Sequence, residues 1–240
     1  MLFSPLLRSG FATPRLPSLC ALCHGWGEQR VCADCSSRWA APQPRCARCA
    51  IQAPAATALC GACLLDPPPY ARAVAAFDYA APWDRLIARF KFNAALDLAP
   101  ALARQLLHAI HTSGVDPPDL LLPVPLSAKR LMERGYNQAW EIARLLGKTL
   151  HCASDPHLLL RTRDTPHQLA LAPGARAANV RGVFAVEPLR LAELRGKTIA
   201  VVDDVLTTGA TAAEVSRTLL QAGVASVHVW VLARTPRPDR

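Results

Sequence analysis

The stretch VVDDVLTTGAT, Val201–Thr211, decides how this chain is read. The apolar run IAVV (Ile199–Val202) ends on two adjacent carboxylates, Asp203 and Asp204, and three threonines and a glycine follow by residue 211. Ionised carboxylates are costly to bury without partners. A Thr-Thr-Gly-Ala-Thr turn also fills a core poorly, so these groups are expected to serve a ligand. GKTIAVVDD reads as a strand, and ATAAEVSRTLLQAG as a helix closed by Gly223. The turn between them opens that helix, whose first N–H groups are unpaired and carry partial positive charge, which suits phosphate. Gly209 allows close backbone approach, and the Thr hydroxyls add donors. Carboxylates beside a phosphate cradle fit a ligand that carries both phosphate and vicinal hydroxyls, such as a ribose phosphate.

Outward from this stretch, short apolar runs alternate with helical periodicity. AVAAFDY (73–79), DLLLPVP (119–125), LLLR (158–161), GVFAV (182–186) and ASVHVWVLAR (225–234) read as strands; WDRLIARFKF, LDLAPALARQLLHAIH and NQAWEIARLLGKTL read as helices. The expected fold class is α/β, a doubly wound, mainly parallel sheet, with ligands at the carboxyl ends of its strands. An Asp-rich strand end with an ordinary helix cap, or the phospho-acceptor Asp of a receiver domain, leaves the TTGAT turn unexplained. The chain contains neither GxxxxGK[ST] nor GxGxxG, which removes support for a nucleoside triphosphatase or a dinucleotide fold.

Eight of the nine cysteines lie between Cys20 and Cys63 as four CxxC pairs: CALC, CADC, CARC and CGAC. Two thiolates at this spacing can face one tetrahedral ion, so two structural zinc sites are expected. The simplest pairing is sequential, Cys20, Cys23, Cys32 and Cys35 on one ion and Cys46, Cys49, Cys60 and Cys63 on the other; an interleaved set fits the spacing too. Redox CxxC pairs lack a thioredoxin-like strand and helix here. DPPPY (66–70) reads as a stiff spacer. The expected organisation is an irregular tail at 1–19, a double zinc ribbon at 20–66, and an α/β domain at 67–240.

The formal net charge is +9. Eight thiolates and two zinc ions would lower it without reversing it, and would leave the cysteine module near neutral, which weakens a DNA-binding reading of that module. The positive excess lies between Leu120 and Arg181, where nine Lys or Arg face four acids, so anions are expected there. The N-terminus has prolines at 5, 14 and 17 and apolar runs too short for a signal peptide. No stretch approaches the ~18 apolar residues of a membrane span. A cytoplasmic protein without membrane insertion is expected.

IAVVDDVLTTGAT resembles the phosphoribosyl diphosphate (PRPP) signature of type I phosphoribosyltransferases. That resemblance implies contacts from Asp203 and Asp204 to the ribose hydroxyls. It implies a PRPP-binding role for Val205, Leu206, Thr207, Thr208, Gly209, Ala210 and Thr211. LLPVPL followed by Lys129, Arg130 and Arg134 is similar to the loop that holds the diphosphate, with Pro123, Val124 and Pro125 in the turn. Adding the four CxxC pairs, LIARFKF, PVPLSAKRLMERGYNQA and RTRDTPHQLALAPGARAANVRGVF, the chain resembles the ComF competence and DNA-utilisation family, which carries a zinc ribbon ahead of a phosphoribosyltransferase domain. The last of these segments is similar to a mobile hood over PRPP, with Arg161, Arg163, Gln168, Arg176 and Asn179 as candidates. The resemblance implies Mg²⁺ with PRPP and a phosphoribosyltransferase whose acceptor is not legible. The alternative is a non-catalytic protein binding single-stranded DNA or docking a partner such as a DNA translocase, with PRPP as a regulatory ligand.

Overall fold

A computed structural model describes residues 17–54, 59–164 and 181–236. Two short strands, β1 (Ser18–Leu19) and β2 (Trp26–Gly27), pair antiparallel ahead of α1 (Ala33–Trp39). After α2 (Gly61–Leu65) come β3 (Arg72–Asp78), α3 (Trp83–Phe92), α4 (Ala99–Thr112), β4 (Leu120–Pro123), α5 (Ala128–Arg134), α6 (Gln138–Leu150) and β5 (Ala153–Ser154). The ribbon β6 (Leu159–Arg161) and β7 (Phe184–Val186) precedes β8 (Thr198–Leu206), α7 (Ala210–Gln221) and β9 (Ser226–Arg234).

The main sheet is parallel throughout, in the order β3-β9-β8-β4-β5. From β4 the chain moves outward to β5; from β8 it moves the opposite way to β9. The direction reverses between β4 and β8, so their carboxyl ends flank a crevice of the kind that binds ligands in open α/β sheets. Alternation along β8 explains why its sequence is apolar without interruption. Ile199 and Val201 share one core with α7 residues Val215 and Leu219, while Ala200 and Val202 share the other with α4 and α6 residues Leu102 and Ile142. Both faces are covered, as parallel sheets require. Each fully buried valine here contributes roughly 1.5–3 kcal/mol relative to exposure.

Two expectations are corrected. LLLR and GVFAV do not join the parallel sheet; they pair with each other, antiparallel, as β6 and β7. Each of these strands has three residues, too little apolar length to compete for a central position. The strand carrying the two aspartates also continues to Leu206, so the carboxylates sit inside β8 rather than at its end. A helix not anticipated, α5, has clear local causes. The Ser127 side chain accepts from the Arg130 N–H, and Gly135 closes the helix in the left-handed region at φ 80°.

The cysteine segment packs on the sheet domain. Cys20, Val31 and Cys35 belong to the same core as Phe77, Trp83 and Leu102. Trp83 Nε1 donates to the Trp39 carbonyl at 2.6 Å, and Gln105 Nε2 donates to Ser36 Oγ at 2.8 Å. Arg45 pairs with Asp78 at 2.6 Å, and the Ala73 N–H donates to the Ala47 carbonyl. Among the described residues no helix is long and apolar enough to cross a membrane.

Candidate ligand site and cysteine clusters

Successive residues of a strand face opposite ways, and this separates the two aspartates. Asp203 lines a pocket at the β4–β8 switch point. Asp204 turns toward the other face of β8, where it is 4% exposed and its Oδ1 accepts from Lys91 Nζ at 3.0 Å. Its Oδ2 is buried with no hydrogen-bond partner among the described residues. Burial, then the neighbouring Asp204, pushes the Asp203 carboxyl up to about 7; Lys91, the Asp204 N–H at 2.8 Å and Arg161 act against that rise. For Lys91, burial opposes the charge, but Asp204 and Asp203 outweigh it and raise its pKa above the ordinary ammonium value. Lys91 also lines the pocket.

The cradle follows. Val205, Leu206, Thr207, Gly209, Ala210 and Thr211 all line the pocket. Gly209 caps α7 in the left-handed region at φ 85°, a backbone state that other residues adopt only at a cost. Thr208 is exposed on the outside of the turn, where its Oγ1 accepts from the Ala210 N–H at 3.4 Å.

Opposite lie the β4 turn and α5. Val124 and Pro125 line the pocket, while Pro123 is buried as the last residue of β4. Asn137 holds this turn by donating from Nδ2 to the Val124 carbonyl at 3.0 Å while its Oδ1 caps α6. Arg130 and Arg134 face the pocket, and Lys129, exposed on α5, does not line it. Arg134 donates to Gln138 Oε1 and stacks on Phe92, 5.3 Å from the ring centroid. Arg161, at the end of β6, also reaches the pocket. Burial, then Arg130, pulls its pKa below the ordinary guanidinium value, so clustered cations here would gain from an anion. Arg163 instead donates to the carbonyls of Arg181 and Gly182. Gln168, Arg176 and Asn179 lie outside the described residues.

Lys91, Tyr79, Phe92 and Gln138 are pocket residues that sequence reasoning does not single out. Lys91 and Phe92 fall within LIARFKF, so a signal is present, but nothing in the sequence ties residue 91 to residue 204. Gln138 is 5% exposed, a buried polar side chain on a helix whose other inward residues are apolar.

The cysteines group sequentially rather than interleaved, as Cys20, Cys23, Cys32 and Cys35 and as Cys46, Cys49, Cys60 and Cys63. Within each group the four sulfurs lie within 4.8 Å of one another. Cys23 Sγ and Cys32 Sγ are 3.8 Å apart, and Cys49 Sγ and Cys60 Sγ 3.6 Å. A tetrahedron with metal–sulfur bonds of about 2.3 Å has edges near 3.8 Å, so each group could hold a zinc ion. Backbone N–H groups donate to these sulfurs, Cys32 to Cys20 at 3.4 Å and Cys60 to Cys46 at 3.3 Å. Burial lifts the Cys35 and Cys63 thiols. At Cys20 burial acts the same way, but the N–H groups of Cys23, Cys32 and Leu22 outweigh it and hold the thiol down to about 6. Four thiolates this close repel, and a dication is the counter-charge that would let all four ionise.

The profile of the phosphoribosyl transferase domain family matches residues 164–239. DNA utilization protein YhgH of Escherichia coli (strain K12) is 37% identical over 227 residues, covering 92% of this chain and 98% of that protein. Competence protein F of Haemophilus influenzae is 31% identical over 208 residues, covering 85% and 90%. Competence protein ComFC of Bacillus subtilis is 28% identical over 150 residues, covering 62% and 58%.

Proposed function

The chain belongs to this family of DNA-utilisation and competence proteins, and from that premise we propose that its pocket binds PRPP and supports phosphoribosyl transfer. The observation that carries the reading is convergence. One carboxylate, Asp203, the amino end of α7 and three guanidiniums, Arg130, Arg134 and Arg161, meet in a single pocket at the switch point of a parallel sheet. In this reading the 5′-phosphate sits on the Thr207–Thr211 turn, held by N–H groups and hydroxyls. The ribose hydroxyls meet Asp203, and the diphosphate meets the arginines, whose planar forks suit its oxygens. Among the described residues Asp203 is the acidic side chain that lines the pocket, so with ligand oxygens it would complete a Mg²⁺ site, and the ion would neutralise diphosphate charge. As the bond from C1 to diphosphate breaks, the sugar gains positive charge and the leaving group negative charge. Asp203 stabilises the first and the guanidiniums the second. Lys91 balances Asp204 so that one carboxylate, not two, bears on the sugar.

Calorimetric titration with PRPP and Mg²⁺ tests this reading. Saturable binding that Asp203→Asn removes is expected, followed by diphosphate release when an acceptor is supplied; native protein that binds no PRPP would refute it. A second reading has one observation behind it. Phe92, stacked with Arg134, and Tyr79 line the pocket and are 61% and 37% exposed, and bases of single-stranded nucleic acid stack on such rings. Here the protein acts in the cytoplasm on internalised DNA with a translocase-type partner, and PRPP is a regulatory ligand. Binding of single-stranded DNA that weakens steeply with salt and is lost in Phe92→Ala would favour it.

A further inference from the structure

Arg234, the last residue of β9, joins two places that are far apart in the sequence. Its Nη1 donates to the carbonyls of Leu206 at 2.8 Å, Thr207, and Thr235 at 2.9 Å. Its Nε donates to the Cys49 carbonyl at 2.9 Å. Leu206 and Thr207 start the turn that lines the pocket, and Cys49 belongs to the second cysteine cluster. The same guanidinium therefore holds the phosphate turn on one edge and the metal knuckle on the other.

A second contact runs in parallel. Tyr70 is 2% exposed, and its hydroxyl lies 3.4 Å from the point a Cβ on Gly209 would occupy. Tyr70 shares a buried cluster with Ala50, the residue after Cys49, and with Leu206. Cys20 and Cys35 of the first cluster belong to the other core, with α3 and α4 residues such as Leu86 and Leu102.

We propose that Arg234 is a positioning residue for the ligand pocket, one that couples the order of the Thr207–Gly209 turn to the integrity of the second cysteine cluster. The physical cause is carbonyl accounting. A turn leaving a sheet must find donors for its carbonyls; here the planar Arg234 side chain donates to both Leu206 and Thr207 from a fixed point, joined at the Leu206 carbonyl by the Thr235 N–H at 3.1 Å. That point stays fixed while the CARC knuckle holds the Cys49 carbonyl in place, and a metal held by the tetrad would keep the knuckle folded. With the knuckle loosened, the guanidinium loses one anchor and the turn loses its preset shape. Lysine cannot substitute, because its single ammonium lacks the fork that spans both sides. The inference rests on the reading of this pocket as a phosphate-ligand site only for its effect on affinity.

Hydrogen exchange by mass spectrometry on the zinc-loaded full chain tests it, with PRPP calorimetry alongside. Native protein is compared with Arg234→Lys, Cys49→Ser and the double variant, and a peptide from β8 residues 198–202 reports global folding. Arg234→Lys is expected to speed exchange of the amides bonded to the turn, the Ala213 N–H on the Gly209 carbonyl and the Thr235 N–H on the Leu206 carbonyl, about tenfold, the loss of roughly one hydrogen bond's protection, and to weaken PRPP binding by a similar factor with zinc content unchanged. Cys49→Ser is expected to do the same, and the double variant little more, since both break one link. Native exchange and affinity in Arg234→Lys, or effects that multiply in the double variant, would overturn the proposal. Should Cys49→Ser fail to fold by the control peptide, Arg234→Lys decides alone. Native protein that binds no PRPP would sink the ligand reading, while the exchange measurement would still decide the coupling.

Discussion

Lys91 Nζ stands 3.0 Å from Asp204 Oδ1, joining the last turn of α3 to the carboxyl-terminal third of β8. The pair is largely buried, with side-chain exposures of 23% and 5%. Removing one partner leaves the other charged and buried, which costs about 3–5 kcal/mol in such pairs. Lys91→Met is therefore expected to lower stability by that order, and Lys91→Met/Asp204→Asn to recover much of it; denaturant unfolding of the four proteins in the cycle measures the coupling. Lys91 has a raised folded-state pKa. Its contribution is thus fully present below the unfolded ammonium value, near 10.4, and is lost as pH rises through the higher folded value.

Asp203 acts in the same direction but in a lower pH window. Its folded pKa is raised to about 7 from 3.8, so between those values the folded state holds a proton that the unfolded state has released. Stability in the ligand-free protein is expected to fall as pH rises across that window. Asp203→Asn removes this slope and stabilises the free protein at pH 8, by on the order of 1.4 kcal/mol for each tenfold difference in proton affinity between the two states. Thermal unfolding of both proteins from pH 4 to pH 8 checks it. A ligand or cation that needs the carboxylate ionised also expels the proton, so the apparent binding enthalpy at pH 7 should vary with the ionisation enthalpy of the buffer.

The sequence carried some of this and withheld the rest for physical reasons. The β8-turn-α7 unit is legible because its causes are local: an apolar strand covered on both faces, a glycine at φ 85°, a helix with its own cap. The pairing of cysteines into clusters is half legible, since CxxC spacing sets pairs but only folding joins the pairs. Lys91 and Arg234 are illegible, because their roles consist of contacts 113 and 185 residues away in the chain. The β6–β7 ribbon misled because short, mainly apolar triplets such as LLR and FAV fit a parallel sheet or a hairpin equally well.

Gly209 offers a sharper local test. A Cβ there would meet the Tyr70 hydroxyl at 3.4 Å while the backbone stays at φ 85°. The left-handed region costs an L-residue about 1–2 kcal/mol. Gly209→Ala is expected to lose that much stability and to weaken phosphate-ligand binding further, because relief of the strain rotates the N–H groups that open α7. Calorimetry with PRPP and chemical denaturation on the same sample separate the two effects: binding loss beyond the stability loss is the expected result, and native affinity would show that the turn's shape is not needed.

Asn137 joins helix start and pocket wall in one side chain, with Oδ1 accepting from the Ala139 N–H at 2.9 Å and Nδ2 donating to the Val124 carbonyl at 3.0 Å. Loss of the cap alone costs about 0.5–2 kcal/mol. Asn137→Asp keeps the acceptor and should keep the cap, and its carboxylate suits a helix start. It cannot donate to the Val124 carbonyl, however, and sets a negative charge against it. Asn137→Ala is accordingly expected to lower stability by that amount. Asn137→Asp should retain most of the stability yet weaken PRPP binding, since the β4 turn that lines the pocket loses its tether. Equal affinity in Asn137→Asp and native protein would place the role of Asn137 in helix capping alone.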